Sequence, residues 1–378
     1  MKEIPLRFVS TLSRMVFTCI VVALAACAQL PEGDAPLTED QKNELAFPPP
    51  PDDAHFFWER TLRGSADVLV EDSTAEFKRS LTGLARVGEG MVKPYSVAVY
   101  RGRVFVSDTG AHNIRVFDIP ARRYFVIGEE GAAELRMPLG IDTDRHGNLY
   151  VCDGSLKVVK VFDKDGKFLR QLGGLEWFSK PASVAVDPNG ERVYVVDIGG
   201  TSSDEHRIRV FDAHSGQHLL DIGKRGVEDG EFNLPKDATV AKDGTLYVSD
   251  AGNFRVQAFS PDGKFLRKFG SIGLRSGQFS RPKEIATDSA GNVYVIDSSF
   301  GNAQLFNPQG QLLMALGVRS ARDIAGRYML PSGVAVDEDD RVYVVDQVYR
   351  KVDVFRPANM KPEDGFGVLG KTILPPKK

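Results

Sequence analysis

The feature that most constrains this chain is a short outline repeated six times. A proline opens each copy, at Pro94, Pro138, Pro181, Pro235, Pro282 and Pro331, and an aspartate follows 14 to 16 residues later, at Asp108, Asp153, Asp197, Asp250, Asp297 and Asp346. Three residues before each aspartate stands an aromatic ring (Phe105, Tyr150, Tyr194, Tyr247, Tyr294, Tyr343). Nine residues after it stands a phenylalanine (Phe117, Phe162, Phe259, Phe306, Phe355), which the third copy delays by five residues to Phe211. Successive prolines are 43 to 54 residues apart, too regular a spacing for chance.

The stretch Phe232 to Gly270 shows what one copy contains. Four short runs, Asp237–Val240, Leu246–Ser249, Arg255–Phe259 and Phe265–Phe269, are separated by Lys242-Asp243-Gly244, Ala251-Gly252-Asn253 and Pro261-Asp262-Gly263. Their β-branched and aromatic content predicts strands. Asp-Gly pairs supply the positive φ of tight hairpins, so consecutive strands fold back antiparallel. Four strands per repeat at this period predict a β-propeller, in which each sheet buries both faces against its neighbours. Six copies therefore predict an all-β fold, a six-bladed propeller of four-stranded antiparallel blades.

The Pro-x-x-[Val/Ile]-Ala-Val-Asp, Leu-Tyr-Val-x-Asp and Asn-x-Arg-Val-x-x-Phe elements resemble NHL repeats over roughly residues 91–357. Copy four matches best, with Asp250, Asn253 and Arg255, whereas copy five has Asn302 in place of the arginine.

The N-terminus reads as an address. Lys2, Arg7 and Arg14 precede an apolar run, Met15 to Ala26, that ends at Cys27. This is the form of a signal peptide over residues 1–26. An apolar run of about 12 residues falls short of the roughly 20 needed to cross a bilayer. Leu24-Ala25-Ala26-Cys27 resembles a bacterial lipobox, whose cysteine is diacylated, and Ala28 in place of aspartate resembles the signal for outer-membrane sorting. The expectation is a protein lipid-anchored through Cys27 to a bacterial outer membrane, facing the periplasm, with surface exposure left open. Loss of residues 1–26 removes three positive charges and one negative, so the formal charge moves from −3 to about −5. With that charge and address, nucleic acid is excluded as an expected partner. Cys19 leaves with the signal peptide and Cys152 stands alone, so no intramolecular disulfide is expected.

Residues 27–54 read as a proline-rich tether, ending in Pro48 to Pro51. Within 55–90, His55 to Arg63 reads as a strand with no local partner. Copy six has three clear strands ending with Val352–Phe355, so this run is expected to supply the fourth and close the ring; the rival is Phe366–Leu369 in the tail 358–378. Ser73-Thr74-Ala75-Glu76 has the form of a capping box, and Phe77, Leu81 and Leu84 follow at i, i+4, i+7, predicting an amphipathic helix over about 74–86. It would be either a lid or a cover for an exposed propeller surface.

Candidate chemistry is sparse. The six strand-ending aspartates are expected to accept hydrogen bonds from loop N–H groups. Arg115, Lys160, Arg209, Arg255 and Lys351 are expected to pair with carboxylates, the alternative being a basic rim that binds a ligand. The usual binding place of a propeller is its channel mouth. Two positions after the leading prolines stand Ser96, Gly140, Ser183, Asp237, Glu284 and Gly333, with Lys236 and Lys283 preceding the two carboxylates. The small residues are expected to leave room beside Asp237 and Glu284 for a ligand or a cation such as Ca²⁺, the alternative being solvated charges paired with each other. Zinc-binding peptidyl-hydroxyglycine lyases, which resemble this repeat family, use histidines at inner-strand starts, and none of these six positions is histidine. Gluconolactonase-like propellers add an asparagine to their carboxylates, which this ring lacks. No Gly-x-Ser-x-Gly, phosphate loop or Cys-x-x-Cys occurs. The leading expectation is a non-catalytic scaffold that binds a protein or small ligand; the alternative is a metal-dependent hydrolase, lactonase or lyase using Asp237 and Glu284.

Overall fold

The structure is a computed structural model that describes residues 45–71, 73–83, 88–200 and 203–370. Cys27, the signal segment, the tether up to residue 44 and Leu84 lie outside the described residues. The segments fall into two compact units, one containing the stretch 71–86 and the other containing 39–70 and 87–378. In the first unit, α1 (Ser73–Thr82) forms where the capping-box pattern predicts a helix, and it buries none of its residues.

The second unit is a six-bladed β-propeller, as the repeat predicts. The inner strands are Pro94–Tyr100, Pro138–Thr143, Pro181–Val186, Pro235–Val240, Pro282–Thr287 and Pro331–Val336, each starting at a repeat proline. Blades one to five are antiparallel meanders running outward from the inner strand, and blade six adds strands from the N-terminal segment to its first three. Each inner strand touches the next, and the sixth touches the first. The alternating pattern of the outermost strands explains their position: in Phe265–Phe269 and Leu312–Leu316 side chains alternate between partly buried and exposed, as on a sheet edge that meets water on one side. The middle strands are buried on both faces. Six apolar clusters fill the gaps between neighbouring blades; one joins Tyr247, Val256 and Phe269 to Ile285, Val293 and Phe306.

Two findings revise the termini. β2 (Phe56–Leu62) pairs antiparallel with Lys351–Pro357 and completes blade six, so the N-terminal choice for closure holds and Phe366–Leu369 is not the closing strand. The tether does not extend to residue 54, because β1 (Ala46–Phe47) turns back at the proline run and pairs with β2 as a fifth strand. Phe47 packs edge-on against Phe355 at 5.1 Å, and that apolar contact outweighs the extended preference of the prolines around it. The tail instead bridges blades six and one: Arg341 donates to the Asp364 carbonyl, the Phe366 N–H donates to Asp339, and the Arg101 guanidinium lies over the Phe366 ring.

Candidate functional site

The strand-ending aspartates are structural brackets. Asp108 accepts from the N–H groups of Val92 (2.7 Å), Lys93 (2.8 Å), Gly110 and Ala111, so one carboxylate ties the loop before the inner strand to the loop after the second. Asp153, Asp297 and Asp346 repeat the pattern. All six are fully buried. The cations that follow are buried too, which removes the basic-rim alternative. Arg115 and Arg255 pair with Asp108 and Asp250 at 2.9 and 2.8 Å, and Arg209 stands 3.9 Å from Asp197. Lys160 instead donates to the carbonyls of Ala132 and Glu134, and Lys351 pairs with Asp353.

The third-position ring is brought together at the axis, where its polar side chains bond from blade to blade. Ser96 Oγ accepts from the Ile141 N–H of the next blade at 3.2 Å, Asp237 Oδ2 from Ile285 N–H at 2.9 Å, and Glu284 Oε2 from Val334 N–H at 3.3 Å. Ser183 Oγ donates to Asp237 Oδ1 at 2.5 Å. The expectation that the small positions leave room is overturned. A Cβ on Gly140 would collide with Ser183 Oγ, and one on Gly333 would stand 2.8 Å from Glu284 Oε2, so each glycine is where a neighbouring side chain crosses. Ser96, Ser183, Asp237 and Glu284 are all buried. They stitch blade to blade.

This arrangement does not fit the Ca²⁺ expectation. Ca²⁺ takes six to eight oxygens, whereas both Asp237 oxygens already accept hydrogen bonds and only Glu284 Oε1 has no partner. Among the described residues no three His, Cys, Asp or Glu side chains are placed to hold a metal. Burial pushes the Asp237 carboxyl up to about 6 against its hydrogen bonds. Glu284 is raised well above its ordinary value, by burial first and then by the charge of Asp237. The histidines supply no cluster either; the buried one, His206, accepts from Leu234 N–H through Nδ1.

Below the ring, towards the turns that follow the inner strands, the channel widens into a cavity of about 410 Å³. Aliphatic side chains such as Val99, Val186 and Val334 line it together with Asp142 and Asp187, and the ring residues Ser96, Asp237 and Glu284 border it as well. Asp142 was missed by the sequence reading. Burial lifts its carboxyl to about 7, although it accepts from the Val186 and Thr143 N–H groups. The signal was present: at the fifth position of the inner strands the six copies read Ala98, Asp142, Ala185, Thr239, Ala286 and Ala335, with one charge among small residues.

At the other end, above the ring, lie the second-position residues. Lys236 and Lys283 are partly buried, and Lys180 and Arg281 flank them exposed. None of these four cations makes an ion pair or a side-chain hydrogen bond among the described residues, so the expected Lys-to-carboxylate pairing does not form. Burial, with the like charge of Lys180, lowers Lys236. Burial, aided by Arg281 and Lys236 and opposed by Glu284 and Asp346, lowers Lys283 to about 8. Burial first, and then the charges of Glu284 and Asp237, raise the Tyr95 phenol above its ordinary value.

The NHL repeat family model matches residues 232–259, the copy singled out above. A probable peptidyl-alpha-hydroxyglycine alpha-amidating lyase of Caenorhabditis elegans is 35% identical over 167 residues, 41% of this chain and 46% of that protein. NHL repeat-containing protein 3 of Homo sapiens is 30% identical over 106 residues, 28% of this chain and 29% of that one. The chain thus spans less than half the length of these relatives. Among solved structures, a gluconolactonase from Xanthomonas campestris is similar at a TM-score of 0.55 and 14% identity, covering 79% of this chain and 98% of that one; at that identity the likeness concerns the fold alone.

Proposed function

We propose, on the premise that this chain is a six-bladed β-propeller of NHL repeats, that it works as a lipid-anchored, extracytoplasmic binding module without catalytic activity. The observation that carries the reading is the use made of the third-position ring. Ser96, Ser183, Asp237 and Glu284, the polar side chains best placed for chemistry at the axis, are spent on hydrogen bonds between blades. A general base or metal ligand needs an oxygen free to meet substrate or ion. Of the Asp237 and Glu284 oxygens only Glu284 Oε1 is unpartnered, on a side chain that borders the channel cavity, and one oxygen is too few to make a metal site. The membrane address rests on the lipobox-like Leu24-Ala25-Ala26-Cys27.

The names of the relatives supply the competing activities. Purified mature protein, with and without added Zn²⁺ or Ca²⁺, is to be assayed against a peptidyl-α-hydroxyglycine and against gluconolactone. No turnover above the protein-free rate is expected in any arm. Turnover that disappears on Glu284→Gln would replace this reading with the enzymatic one.

A further inference from the structure

We propose that the end of the channel where the inner strands begin is a binding site for a small anion bearing a carboxylate or phosphate group, held by Lys236 and Lys283 with Lys180 and Arg281 at its rim. The proposal rests on the binding-module reading and names the ligand class. Its first support is placement. Lys236 and Lys283 occupy the same second position on the neighbouring inner strands of blades four and five, and Lys180 and Arg281 stand one residue before the prolines of blades three and five. Four cationic side chains are thereby gathered beside the axis of a protein whose formal charge is negative.

The second support is the missing partner. Partly buried charges are normally paired, because an unpaired one loses hydration without recovering it. Twenty-four ion pairs link other charged groups of the described residues, yet these four cations enter none. The carboxylates just below them do not serve, since Asp237 accepts from Ser183 and Ile285 and Glu284 from Val334. A cluster of donors with no internal acceptor is complementary to an anion. The groups that face Lys283 are Glu284 and Arg281 from its own blade, Lys236 from blade four and Asp346 from blade six.

The signature is twofold. An anion returns the Lys283 ammonium towards its ordinary proton affinity, so binding takes up protons near pH 8 and weakens as pH rises beyond it. In the absence of an anion the cluster repels itself, so removing one charge stabilises the fold. The experiment is calorimetric titration of the mature protein with inorganic phosphate and with succinate at constant chloride, in buffers of different ionisation enthalpy, beside melting curves. One or both probes are expected to bind with proton uptake, the stronger of the two identifying the ligand as phosphate or carboxylate. Lys236→Met and Lys283→Met are each expected to weaken binding about tenfold and to melt higher than wild type when neither phosphate nor succinate is present. Lys242→Met, at the opposite end of the cavity, should do neither. Absence of binding by both probes, or equal binding by the Lys236→Met/Lys283→Met double variant, overturns the proposal. Either result leaves the turnover assays above to decide the non-catalytic reading separately.

Discussion

Asp237 lies buried between Ser183 and Ile285, and burial raises its carboxyl from 3.8 to about 6. A group whose folded-state proton affinity exceeds its unfolded one contributes stability below the unfolded value, and that contribution is lost as pH rises through the folded value. For Asp237 the window is pH 4 to 6, and Asp142 and Asp337, both lifted by burial to about 7, extend it upward. The propeller is therefore expected to lose stability between pH 4 and 7. Asp237→Asn keeps the local bonds, since its amide oxygen accepts from Ile285 N–H while its amide nitrogen donates to Ser183 Oγ. It should be more stable than wild type at pH 7.5 by up to about 3 kcal/mol, with the gain vanishing towards pH 4. Urea unfolding of both proteins at the two pH values measures it, and an equal pH slope in the two would remove Asp237 as the source. The third-position ring was legible in the sequence because the repeat fixes its register. Its role was not, because whether a serine or carboxylate meets open channel or the next blade's N–H depends on how closely the inner strands approach. Gly140 and Gly333 looked like space and proved to be the points of closest approach.

Blade six is assembled from the two ends of the propeller unit, with β2 between Lys351–Pro357 and β1. The sequence announced β2, since copy six lacks a fourth strand and His55 to Arg63 is a β-rich run with no local partner. It hid β1, because a two-residue strand has no periodicity and Pro48 to Pro51 favours extended chain. Deleting residues 1–44 is expected to leave the melting temperature unchanged. Deleting 1–63 exposes the edge of Lys351–Pro357 and removes the buried Phe56 and Leu62, at about 3–6 kcal/mol for those side chains. Parallel melts of the two truncations decide it; equal midpoints would mean β2 does not close the ring. A second lock is polar. Arg341, fully buried, holds Glu59 of β2 at 2.8 Å and Asp339 at 3.1 Å and donates to the Asp364 carbonyl of the tail. Arg341→Met leaves Glu59 with Arg60 as its remaining ionic partner and strips the Asp364 carbonyl and Asp339 of a buried donor, and should cost about 1–3 kcal/mol by urea unfolding. Adding Glu59→Leu should recover part of that loss, and a double variant no more stable than the single one would show that the ion pair is not its origin.

At the scale of the whole molecule, the charge along the channel is divided between its two ends. Unpaired Lys236 and Lys283 stand where the inner strands begin, and the cavity below the ring is lined by Asp142, Asp187 and Glu338. The folded part begins earlier than the proline run suggests. With β1 paired from Ala46, residues 28–45 separate Cys27 from the first strand. On the proposed reading, attachment would depend on Cys27, because one apolar run of about 12 residues cannot span a bilayer and stable attachment needs more than one acyl chain. Cys27→Ser removes the thiol that a lipobox acylates. In cells fed a fatty-acid analogue, wild type is expected to take up label and to sediment with membranes, whereas the variant stays unlabelled and melts at the wild-type temperature. Label on Cys27→Ser, or none on wild type, would end the lipoprotein reading while leaving the binding site at the channel to be judged by its own titrations.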